Sequence, residues 1–67
     1  MKKKIVLRAF AAELSEDLTA TRFFESLSDE QKNEVMDYVA RSHDATEAVS
    51  RSATALTRLR QGRIDFV

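Results

Sequence analysis

A catalytic site needs a nucleophile, an acid–base pair or a metal-ligand set, and this chain offers few of them. Cysteine is absent, which removes thiolate nucleophiles, thiolate metal ligands and disulfides together. The one histidine, His43, cannot build a histidine-rich metal site. No second histidine, and no lysine, stands where it would activate a serine. His43 falls at the end of an expected helix, where the helix dipole favours an imidazolium, so a capping or surface role accounts for it. Glu30, Glu34 and Asp37 recur at helical spacing opposite an apolar stripe and read as a solvated face. A cation site there would need histidine or loop geometry that the stretch lacks. The expectation is a non-enzymatic protein with no catalytic residue, no metal, no cofactor and no small-molecule substrate.

Arginine has more to offer. Arg51 and Arg58 are seven residues apart and share one face of the last expected helix, with Arg60 and Arg63 beyond. Such a group can hold an anion or an acidic surface through forked, charge-assisted hydrogen bonds. Two helices joined by a short turn also suggest a helix-turn-helix-like nucleic-acid-binding or regulatory protein. The net charge of zero, the acidic preceding helix and the missing turn glycine make that the alternative reading. Arg51, Arg58, Arg60 and Arg63 are therefore the candidate partner- or anion-binding face. Phe23 and Phe24 are adjacent and cannot share one narrow stripe. One is expected to face the core and the other a neighbouring helix or a partner, which makes the pair a candidate self-interface beside the simpler account of core packing.

The elements that must position these residues are helices. The stretch from Asp44 to Gly62 is the most fully punctuated. Ala45, Ala48, Val49, Leu56 and Leu59, with Ser52 in the same row, recur at steps of three, four and seven. Asp44 is an N-cap with Glu47 three residues on, Gly62 is the chain's single glycine and stands where a left-handed C-cap residue belongs, and Arg58 and Arg60 complement the dipole in the last turn. Before it, Ser28-x-x-Gln31 forms a second capping-box pattern, and Val35, Met36, Tyr38, Val39 and Ser42 give an apolar face. Ser15 is an N-cap candidate for a helix carrying Leu18, Phe23, Phe24 and Leu27. Val6, Leu7, Phe10, Ala11 and Leu14 make a first helical face, although Lys3–Arg8 also suits a short strand. The reading is an all-α single domain over residues 1–67, with helices at about 4–14, 16–27, 29–42 and 45–61, the last two an αα-hairpin, and a tail at 62–67. The tail alternates apolar and polar residues. It either folds back on the core or stands out as a hook for a partner. The expected core is Leu14, Leu18, Phe23 or Phe24, Leu27, Val35, Tyr38, Val39, Val49, Leu56 and Leu59.

A chain of 67 residues buries only about 60% of its unfolded surface, so it is marginally stable and a dimer would help. Lys2, Lys3, Lys4 and Arg8 make the start basic, every acid but Asp65 lies in residues 13–47, and the end is again basic. Intramolecular complementarity is the plain account of this segregation. Lys2-Lys3-Lys4 followed by Ile5-Val6-Leu7 resembles the start of a signal peptide, but Arg8 interrupts the apolar run far short of the roughly seven to fifteen residues required. No stretch is long enough to span a membrane. The expected location is cytoplasmic, and the expected partner is another protein or a second copy.

The run Phe23-Phe24-Glu25-Ser26-Leu27-Ser28, then Glu34, then Tyr38-Val39, then a charged last helix closing with Leu59-x-x-Gly62-Arg63, resembles the C-terminal domain of the YdeI/OmdA family, also called bacteriocin-protection or OmpD-associated. Phe10-Ala11-Ala12-Glu13-Leu14 resembles the alanine-rich helix that precedes it there. The likeness spans about residues 8–63. Where the family has a T-R-x-R-R-I run this chain has Glu47-Ala48-Val49-Ser50-Arg51-Ser52, and only Arg51 fits. Many members carry a β-rich domain ahead of the helical one, and the family has been thought periplasmic. The resemblance implies a bacterial helical domain linked to resistance against antimicrobial peptides or envelope stress, with no established catalysis.

Overall fold

The computed structural model describes residues 3–66, and all of its regular structure is helical: α1 (Lys3–Ser15), α2 (Leu18–Ser26), α3 (Asp29–Ala40) and α4 (Ala45–Arg60). The all-α expectation holds, as does the order of four helices. Residues 1, 2 and 67 lie outside the described residues, and with them the outer ends of the expected first segment and tail. From Lys3 onward the first segment is helix, not strand. Val6, Phe10 and Leu14, at four-residue steps, are all buried, a spacing that a strand's two-residue alternation would not align with a core on one side.

α4 packs against each of the other three helices, and α1 packs against α2, α3 and α4. The radius of gyration is 10.8 Å, against about 11 Å for a compact chain of this length. Phe10, Val35, Val39 and Leu59 are the largest fully buried side chains, and Ala20, Ala48, Ala55 and Leu56 fill the space between the helices.

The caps fix the helix boundaries. Ser28 accepts from the Gln31 N–H and the Gln31 side chain accepts from the Ser28 N–H, closing the expected capping box on α3. Asp44 accepts from the Glu47 N–H at 2.8 Å and starts α4. Gly62 has φ +71°. Its N–H donates to Leu59 O at 3.1 Å and the Arg63 N–H donates to Arg58 O at 2.8 Å, the pair of bonds of a Schellman motif.

Four expectations need correction. Ser15 does not cap α2. α1 runs through it, with the Ser15 hydroxyl donating back to Ala12 O, and Asp17 is the cap, accepting from the Ala20 N–H at 3.0 Å. The third helix stops at Ala40 instead of 42, with Arg41 as its C-cap, so His43 stands in the connecting loop, not in the last turn. Leu18 is 64% exposed. At ~100° per residue Leu18 lies about half a turn away from Ala20, Phe23, Phe24 and Leu27 wherever the helix starts, so the helical period itself sets it on the far side. Val49 is 69% exposed. It lies roughly 90° from the row of Ala48, Ser52, Ala55 and Leu59 by the same measure, and small residues take the core positions beside it.

Candidate functional site

The four arginines singled out from the sequence do not form one free row. Arg51, on α4, donates from Nη1 to Tyr38 O of α3 at 2.8 Å, pairs through Nε with Glu47 at 3.1 Å, and lays its guanidinium over the Tyr38 ring at 4.9 Å from the centroid. Arg58 donates from Nε to Asp65 O in the tail at 3.1 Å. Arg60, in the last turn of α4, pairs with Asp17, the cap of α2. Arg63 pairs with Asp65 two residues on, with Nε to Oδ1 at 2.9 Å and a second bond from Nη2. Arg51, Arg58 and Arg60 thus tie α4 to α3, to the tail and to the start of α2, while Arg63 pairs within the tail.

These pairs leave an electrostatic signature. The Arg60 hydrogen bond, helped by the Ala20 N–H, holds the Asp17 carboxyl below its ordinary range. The Arg63 hydrogen bond does the same to Asp65, and Asp65 in turn raises Arg63. Among the described residues, no group of three or more histidine, cysteine, aspartate or glutamate side chains is placed to hold a metal ion. Glu30 and Glu34 are exposed, as is His43.

Phe23 and Phe24 are both half-buried and packed on the core. Phe23 stands over the Gly62 turn, where a Cβ would meet its ring at 3.8 Å. Phe24 has Lys32 above its ring at 5.9 Å from the centroid. The large apolar side chains that stand furthest out are instead Ile5, Leu18 and Val49. Ile5 and Val49 flank a groove of about 180 Å³ between α1 and α4, floored by Val6, Ala9, Ala48 and Ser52. It escaped sequence reasoning because period alone reads Val49 as core, while Ile5 lies outside the face assigned to the first helix. No described helix is long and apolar enough to cross a membrane.

The tail folds back on the helices, the first of its two expected outcomes. Phe66 stacks on Tyr38 with ring centroids 4.4 Å apart and planes 13° apart, and Ile64 packs on the core. No protein-family model, no curated protein and no solved structure matches the chain.

Proposed function

We propose that the chain is a non-enzymatic protein-interaction module of the YdeI/OmdA type, serving resistance to antimicrobial peptides or envelope stress and engaging a protein partner, a second copy included. The observation that carries this reading is the α1–α4 groove. Two aliphatic side chains, Ile5 at 63% and Val49 at 69% exposure, stand beside it. Burying one such side chain against a partner is worth roughly 1.5–3 kcal/mol. The reading also draws on the residues that resemble the family, which run from Phe10 in α1 through Phe23-Phe24 in α2 to the αα-hairpin of α3 and α4. The nucleic-acid alternative draws less support. Arg51, Arg58, Arg60 and Arg63 already hold intramolecular acceptors, so only the N–H donors each has left over would meet a phosphate.

The test has two arms. Expression of the chain in a susceptible bacterium should raise survival under a cationic antimicrobial peptide, and Val49→Asp at equal protein level should abolish the gain. Light scattering over a concentration series should show whether the same variant changes the solution mass, which identifies a second copy as the partner. Protection that is absent, or untouched by Val49→Asp and Ile5→Asp together, overturns the reading. So does turnover of a substrate that is lost on substituting His43 or one carboxylate.

A further inference from the structure

Tyr38 is the single tyrosine of a chain without tryptophan, and two groups lie against its ring. Phe66 stacks at 4.4 Å and the Arg51 guanidinium lies over the ring at 4.9 Å. Phe66 arrives there on a short tether. The left-handed turn at Gly62 redirects the chain out of α4, and residues 63–66 form no helix. Arg58 of α4 grips the Asp65 carbonyl, and Ile64 packs on the core two residues before Phe66. Aliphatic, acidic and aromatic residues in succession thus bridge α4 to α3. Backbone is held by a side chain of one helix and a ring by a side chain of the other. A carbonyl held by a guanidinium and a ring held by stacking are contacts that a separate peptide with the same residue types can also make.

The dock is not filled by the tail alone. A cleft of about 330 Å³ remains between the tail and α3, with Glu34, Arg41 and Tyr38 on its helical side. The hold is also open to solvent. The Arg58–Asp65 and Arg63–Asp65 bonds are exposed, and Ile64 and Phe66 are only half-buried. Ordering the tail costs backbone entropy, which exposed contacts offset weakly.

We infer that Ile64-Asp65-Phe66 occupies in cis a docking groove for an aliphatic–acidic–aromatic peptide segment of another protein, which displaces the tail by stacking its own aromatic ring on Tyr38. The inference is separate from the α1–α4 groove, and either can fail while the other stands.

The probe is the acetylated peptide Arg-Ile-Asp-Phe-Val, titrated to about 5 mM, above the millimolar effective concentration of a short tethered segment. It is added to the full chain and to its Phe66→Ala variant, with circular dichroism to verify folding and Tyr38 emission and amide shifts as readouts. Phe66→Ala should bind saturably and ~tenfold more tightly than the wild type, which must first release its own tail. Adding Tyr38→Ala to that variant should abolish binding, and a scrambled peptide should not bind. Phe66→Leu, which keeps an apolar cover without the ring, serves the same test if Phe66→Ala unfolds. No saturable binding to a folded Phe66 variant overturns the inference, as does equal affinity for variant and wild type. A wild-type dimer that Phe66→Ala converts to monomer overturns it too, since the groove would then hold the tail of a second copy.

Discussion

Gly62 is the position where one added methyl group tests the geometry of the chain's most complex turn. At φ +71° the backbone is left-handed, which costs an L-residue with a Cβ roughly 1–2 kcal/mol. Space does not add to the cost. A Cβ would meet Phe23 ring carbons at 3.8 and 4.0 Å, ordinary contacts worth about 0.1–0.2 kcal/mol each. The stiffer unfolded chain favours alanine by roughly 0.4–1 kcal/mol. At the middle of these ranges Gly62→Ala should destabilise the domain by about 0.5–1 kcal/mol, lowering Tm by ~2–8 °C for a chain of this size. Gly62→Asn should lose less, because asparagine tolerates the left-handed region. Urea and thermal unfolding followed by far-ultraviolet circular dichroism measure both. Hydrogen exchange at the Arg63 amide, which bonds Arg58 O at 2.8 Å, should quicken in Gly62→Ala. An alanine variant as stable as the wild type, with that amide still protected, would refute the argument that the left-handed turn aims the tail.

Leu59→Ala, at a fully buried site on α4, should cost about 2–5 kcal/mol and unfold much of a domain this small in chemical denaturation, whereas Leu18→Ala, on the exposed side of α2, should stay within roughly 0.5 kcal/mol. Ser28→Ala opens the α3 capping box and should cost about 1 kcal/mol in the same assay. Asp17 has a depressed pKa, so its contribution is fully present above the ordinary carboxylate range and is lost as pH falls through the lowered folded value. Asp17→Asn should flatten that acid limb of a stability–pH profile, and Arg60→Gln should flatten part of it.

The helices were legible because their ends are written in short-range chemistry. Ser28 with Gln31, Asp44 with Glu47, and Gly62 after Leu59 each act within a few residues, so spacing alone finds them. Where two short-range solutions compete, spacing does not choose. Ser15 and Asp17 both satisfy the N-cap pattern. Asp17 wins because it also meets Arg60, 43 residues away, while Ser15 can donate to Ala12 O and extend α1.

The arginines show the same boundary from the functional side. Periodicity places Arg51 and Arg58 on one face of α4, and there it stops. It cannot say that Tyr38 O lies within reach of Arg51, or that the tail returns to bring Asp65 O to Arg58. A long side chain takes its partner from the tertiary fold, and a row that reads as an open cationic face becomes the set of ties closing the hairpin and its tail. Val49, at the edge of the α4 stripe, errs in the opposite sense. Small core residues such as Ala48 and Ala55 already close the space beneath, so Val49 has no pocket to enter and stands beside Ile5 at the groove. Charge therefore overstates this chain's free surface and apolar pattern understates it, and the substitutions that discriminate a partner here are Ile5→Asp and Val49→Asp ahead of any arginine.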